Sequence, residues 1–236
     1  MSIGVLMICS KNEPFIDLTL KSIKGIADQI IIVGDPNKET RKKIFSLEIP
    51  QLELIWRDWD NNFGRARNLA LRHLQTSWIL SIDADEVISD NAYLLKEYAR
   101  KDIDCYDIKY THFIYSFGTV DNTTFPHIGI RRFYKKYRDT LYTEPIHEVV
   151  NSNSFKKKGF IEDVILFHLG DLKGLVQYPS KYRRNLVLSE IHTKEFLRKW
   201  LNWHLFGTYP VRPYDEKKDG KIPKIIKDAF EWGNIE

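Results

Sequence analysis

Asp83, Asp85 and Glu86 place three carboxyl groups within four positions, directly after the apolar stretch "WILSI" at 78–82. Carboxylates this close repel one another, and one is driven to bind a proton unless a cation neutralises the group. Oxygen ligands of this kind suit Mg²⁺ or Mn²⁺, which keeps part of its water shell and takes further oxygens from a phosphate-bearing ligand. The plain alternative is an acidic loop capping the next helix through Ser89 or Asp90. Which reading holds depends on what the fold brings to the same place.

Four stretches read as strands: 3–9, 28–35, 52–58 and 78–85. The first is continuously apolar and rich in Ile and Val, the mark of a strand buried on both faces, and the second reads as buried too. Helical periodicity fills the gaps, at 13–26, 38–47 and 64–76. Strand and helix in this alternation predict a doubly wound α/β fold, a mainly parallel sheet with flanking helices. Ligands of such sheets lie beyond the carboxyl ends of the strands. Those ends carry Ser10, Asn12 and Glu13, then Gly34 and Asp35, then 58–62, then the acidic cluster. Arg65, Arg67 and Asn68 open the third helix, where a helix N-terminus and guanidinium groups suit a phosphate. Taken singly, each of these features is also an ordinary turn or a solvated helix face.

The second half changes character. Aromatic, alternating sequence over 105–150 predicts antiparallel strands, with turns at "DNTT" (121–124) and "YRDT" (137–140). A further strand at 163–171 carries His168, and the pattern is helical again from Lys181. The expectation is one compact domain over 1–185 with a helical extension, 186–236, packed on it.

Composition narrows the function classes. A hydrophobic fraction of 43% and an aromatic fraction of 13% fit a globular chain, not a disordered one. Net charge is +4 from 36 basic and 32 acidic residues, without the basic stripe of a nucleic-acid binder. Cys9 and Cys105 are too few for a disulfide scaffold and form no C-x-x-C pair. No apolar run approaches the ~18 residues of a membrane span, and the N-terminus does not read as a signal peptide. A cytoplasmic protein is expected. The stretch 194–206 interleaves Trp200, Trp203 and other apolar residues with Lys194, Arg198 and Lys199. A helix packed on the core is the preferred reading. An interfacial helix is the alternative, and it would put the chain at the inner membrane surface with a lipid-linked acceptor.

The strand-end signals together resemble inverting family 2 glycosyltransferases of the GT-A fold. They are K-N-E at 11–13, Asp35 after strand two, N-x-G-x-A-R-N-x-A at 62–70 and D-A-D-E at 83–86. Within that family the likeness is to enzymes with further signatures, here "RRFYKKYRDTLYTEPIHEVV" (131–150), "ILFHLG" (165–170) and "KYRRN" (181–185). It covers roughly 3–185. One departure is Gly34-Asp35-Pro36-Asn37, where the family usually has D-D or D-x-S. The resemblance implies a nucleotide-diphosphate sugar lying across the strand ends, met by Ser10, Asn12, Glu13, Asp35, Arg65, Arg67, Asn68 and Asp83. It implies a divalent cation (Mn²⁺ or Mg²⁺) on Asp85 and Asp83, with His168 a candidate ligand from the opposite side. Inversion requires a carboxylate to take the acceptor's proton: Glu148 is preferred and Glu144 held in reserve. The acceptor is left open among glycan, lipid and protein. A sugar nucleotidyltransferase would carry a Gly-rich loop with a Lys after strand one, which "CSKNEPF" lacks. A non-catalytic nucleotide- or sugar-binding module is the other reading.

Overall fold

A computed structural model describes residues 1–116, 119–146, 148–170, 212–213, 217 and 221–230, with the backbone alone along 112–130. Strand β1 (Ile3–Cys9) pairs in parallel with β2 (Gln29–Gly34) on one side and β4 (Trp78–Ser81) on the other. Strand β3 (Leu52–Trp56) extends the parallel layer beyond β2. Helices α1 (Ile16–Ile23), α2 (Lys38–Phe45) and α3 (Phe63–His73) make the crossovers. The two-residue period of the strands divides the core between the faces of the sheet. Val5, Met7, Ile30 and Ile32 pack with Ile16, Leu20 and Ile44 of α1 and α2. Leu6, Ile31 and Val33 pack with Ala66, Ala70 and Leu71 of α3 on the other face.

Asn residues start two of the helices. Asn37 accepts a hydrogen bond from Thr40 N–H at 2.8 Å, and Asn62 from Arg65 N–H at 2.7 Å. Each satisfies a donor that the first helical turn leaves without an intrahelical partner.

Strands β6 (Cys105–Ser116), β7 (Thr119–Lys135) and β10 (Lys158–His168) continue the sheet past β4, and β5 (Glu86–Ile88) forms its far edge. The order is β3-β2-β1-β4-β7-β6-β10-β5, with β11 (Arg212–Pro213) on β7. Strands β8 (Leu141–Thr143) and β9 (Val149–Asn151) form a separate hairpin. Before β6 come a short 3-10 helix, Ala92–Leu94, and α4 (Leu95–Tyr98). The fold is the expected α/β class, a parallel first half joined through β4 and β7 to a mainly antiparallel segment in which β10 pairs in parallel with β6.

Two boundaries differ from the sequence expectation. "DNTT" lies inside β7 and is not a turn, whereas "YRDT" does turn, with Thr140 N–H donating to Tyr137 O at 3.2 Å. β4 stops at Ser81 and does not run to Asp85. Beyond it the Asp83 N–H donates to the Glu86 side chain at 2.8 Å, and Glu86–Ile88 pairs instead with β10. This exchange places Glu86 opposite His168.

Of the expected extension, helix α5 (Lys224–Phe230) is described. Its Ile226 and the preceding Ile222 pack with Leu18, Val87, Ile165, Phe167 and Leu169. "KYRRN" and the 194–206 stretch lie outside the described residues. Among the described residues no helix is long and apolar enough to cross a membrane.

Gly34 is fixed by close approach of two strands. A Cβ on it would sit 1.9 Å from the carbonyl oxygen of Cys9. Gly34→Ala must spread β1 from β2 at their carboxyl ends, a strain of about 1–3 kcal/mol or more. A denaturation midpoint equal to wild type would show that the ends of these strands are loose.

Candidate functional site

Arg67 projects from the buried face of α3, only 3% exposed, and donates three hydrogen bonds. Its Nε reaches Glu148 Oε1 at 2.5 Å, its Nη1 Ser81 Oγ at 3.0 Å, and its Nη2 Asp83 Oδ1 at 2.6 Å. The guanidinium also lies 5.6 Å from the ring centre of Tyr142. Burial disfavours its charge, but Asp83 and Glu148 hold its pKa well above the usual arginine value. Ser81 shares the α3 side of the sheet with Ile79 because both follow the same strand parity. The fork is enclosed by protein acceptors, so one guanidinium joins β4, the turn after it and the hairpin loop.

A second arginine completes the neutralisation. Arg132 Nη2 donates to Asp83 Oδ2 at 3.0 Å and to Glu86 Oε1 at 2.8 Å. Burial opposes ionisation of Asp83, yet Arg67 and Arg132 together hold its carboxyl well below the usual range. Glu86 is fully buried, and that burial pushes it up to about 7 against the pull of Arg132. The charge that the acidic cluster demands thus comes first from two guanidinium groups. Both oxygens of Asp83 accept from arginine, Oδ1 from Arg67 and Oδ2 from Arg132. Arg132 is not singled out by the sequence, and Glu86 enters there only as a member of the acidic cluster. The available signal was a pair of arginines inside the apolar strand sequence "GIRRFY", which calls for a buried counter-charge.

Asp85 is placed differently. His168 Nε2 lies 3.6 Å from its Oδ2, while Leu169 N–H donates to its backbone carbonyl at 2.8 Å. The His168 ring stacks on Tyr110 at 5.8 Å. Gly170 leaves the space in front of this pair, since a Cβ there would sit 2.5 Å from His168 Nε2 and 2.7 Å from Asp85 Oδ2. One oxygen and one nitrogen donor converging on space kept open by a glycine fit a divalent cation. Among the described residues no group of three or more His, Cys, Asp or Glu could hold a metal. A cation here would complete its shell from a bound diphosphate and water, as Mg²⁺ commonly does.

At the β1 and β2 ends, Glu13 and Asp35 are both nearly buried. Glu13 Oε1 accepts from Ser10 Oγ at 2.5 Å and Ser10 N–H at 3.2 Å, and its own N–H donates to Thr40 Oγ1 at 3.2 Å. Asp35 faces Lys11, with Nζ to Oδ2 at 3.7 Å. Asn12 is exposed on the same loop. The structure brings Ser10, Asn12, Glu13 and Asp35 to one end of the sheet, with the Glu13 carboxylate turned back to close its own loop.

Arg65 is mostly exposed and donates to Asp60 at 2.9 Å. The Asn68 side-chain amide donates to Tyr142 O and accepts from Tyr142 N–H, each at 2.8 Å. It clamps hairpin strand β8 onto α3. Glu144, in the loop of the β8–β9 hairpin, is exposed and adopts a left-handed φ of 64°. With Asn62, Gly64, Arg65, Asn68, Arg72, Tyr142 and Pro145 it lines a surface pocket of about 270 Å³. Gly64 is required there, as a Cβ would come within 2.4 Å of the Glu144 carbonyl. Glu148, in the same loop, points the other way, to Arg67. His147 lies outside the described residues.

A parallel half-sheet whose acidic turn follows β4, joined to an antiparallel segment, is a GT-A fold. S. aureus TarS 1–349 has this fold and matches with a TM-score of 0.50 at 17% identity, over 88% of this chain and 73% of that one. The sequence pattern of glycosyl transferase family 2 matches residues 5–165, and the chain belongs to that family. The SPbeta prophage-derived glycosyltransferase SunS of Bacillus subtilis (strain 168) is 28% identical over 198 residues, covering 77% of this chain. An uncharacterized glycosyltransferase of Rickettsia bellii (strain RML369-C) is 32% identical over 83 residues, 35% of this chain and 27% of that protein. The chain spans 43% of the length of SunS.

Proposed function

We propose that the chain is a cation-dependent, inverting glycosyltransferase that moves a sugar from a nucleotide-diphosphate donor to an acceptor hydroxyl. The observation that carries this reading is the Arg67 bridge. One guanidinium holds Asp83 of the D-x-D turn and Glu148 of the hairpin loop, so the donor-side acid and the candidate base share one support.

In this reading the nucleoside lies over the β1 and β2 ends, near Ser10, Asn12, Glu13 and Asp35, with Arg65 at its exposed edge. Asp85 and His168 would hold the cation, which withdraws charge from the departing diphosphate. Glu148 takes the acceptor proton as the acceptor oxygen bonds to the anomeric carbon and the bond to the diphosphate breaks on the opposite face. Arg67 keeps Oε1 of Glu148, so the proton goes to Oε2. Arg67 is thus a positioning residue here, where the sequence suggested a phosphate ligand.

The test is a screen of UDP-, GDP- and dTDP-sugars for donor hydrolysis and nucleotide binding, each with Mn²⁺, with Mg²⁺ and with EDTA. Cation-dependent release of nucleoside diphosphate from at least one donor is expected. Binding without turnover across the whole set would favour a non-catalytic nucleotide-binding module.

A further inference from the structure

We infer that Arg132 is a positioning residue for Asp85, acting through Asp83 and Glu86. The inference rests on the reading of Asp85 as a cation ligand. Three ties join residues 83 and 86. Glu86 N–H donates to Asp83 O at 3.0 Å, and Asp83 N–H donates to Glu86 Oε2 at 2.8 Å. The third is the Nη2 group of Arg132, which bridges the two side chains at 3.0 and 2.8 Å. Ala84 and Asp85 are the residues in between. Their carbonyls are held as well, Ala84 O by Thr19 Oγ1 at 3.0 Å and Asp85 O by Leu169 N–H at 2.8 Å. The turn that aims the Asp85 side chain at His168 is therefore closed at both ends.

Arg132 closes the tie made between the two side chains. Glu86 has no exposed surface, and without Arg132 its Oε1 and the Asp83 Oδ2 lose the donor that bridges them. A buried polar group left without its partner is costly, so the turn must open to water or shift. Either response moves Asp85, which lies between the two tied residues. Lysine in place of Arg132 can set one ammonium between the same two oxygens, but without the planar fork.

The experiment measures binding of UDP and of GDP to the full chain by calorimetry over a Mn²⁺ series. The proteins are wild type, Arg132→Met, Arg132→Lys and Glu86→Gln. Arg132→Met is expected to raise the half-saturating Mn²⁺ concentration ~10-fold or more, the scale on which residues behind metal ligands act. Nucleotide binding in EDTA should not change, and Arg132→Lys should recover most of the shift. A folded Arg132→Met protein with the wild-type Mn²⁺ midpoint would overturn the inference. If that variant does not fold, a wild-type Mn²⁺ midpoint in Glu86→Gln, which removes the charge on the Arg132 bridge, overturns it equally. Wild-type nucleotide binding indifferent to Mn²⁺ would instead overturn the cation-site reading, and this inference with it.

Discussion

Glu148→Gln should bind nucleotide-sugar as wild type does and transfer sugar ~10² to 10⁴-fold more slowly, the usual range for loss of a general base. The substitution keeps the volume of the side chain and an oxygen for Arg67 Nε, which now lies 2.5 Å from Glu148 Oε1. Basicity is what it removes. Arg67 loses one of its two carboxylate partners, so some stability falls too, and the rate must be referred to folded protein from a denaturation curve on the same sample. Glu144→Gln is the control. Glu144 is exposed at the rim of the pocket beside α3, and its substitution should leave transfer near wild type. If Glu148→Gln transfers normally and Glu144→Gln does not, the base has been assigned to the wrong end of the hairpin loop.

Asp85→Asn should abolish measurable transfer while the melting temperature stays close to wild type, and Asp83→Asn should do the opposite to stability. The contrast follows from their partners. Asp85 faces His168 and the space left by Gly170, and charge stabilisation by a metal there is worth several kcal/mol in the transition state. That corresponds to a loss of ~10³-fold or more. Asp83 is the shared counter-ion of two buried arginines. Each guanidinium keeps one carboxylate, Glu148 or Glu86, so neutralising Asp83 destabilises by ~1.5–3 kcal/mol, the range for a hydrogen bond to a charged group. Thermal melts of the two variants, with transfer assayed in Mn²⁺ and in excess EDTA, check both halves. Full wild-type turnover in EDTA would remove the cation from the mechanism. Equal melting temperatures for the two variants would show that the arginine pair does not depend on Asp83.

Most of the scaffold is local information. Ile30 to Val33 is apolar without interruption because β2 is covered on both faces, so the run itself announces a central strand. Asn37 and Asn62 cap helices through bonds that reach only three residues ahead, which is why the starts of α2 and α3 are legible in the chain. The strand ends follow from the same alternation, and with them the place of the acidic turn. What binds that turn is not local. Arg67 meets Asp83 across 16 residues and Glu148 across 81, while Arg132 meets Asp83 across 49. Nothing in the spacing of these residues distinguishes an arginine that faces a phosphate from one enclosed by carboxylates, because the choice depends on which loops the sheet order brings over α3. The end of β4 is undecided by sequence for a related reason. The apolar and acidic residues of 78–88 fit one strand as well as two, and only pairing of Glu86 opposite His168 on β10 separates β5 from β4. The sequence by itself determined the α/β layers, the order of the first four strands and the types of chemical group that follow them. Tertiary structure decided which carboxylate is bridged by arginine and which faces a histidine, since charge partners are selected by packing across the whole sheet.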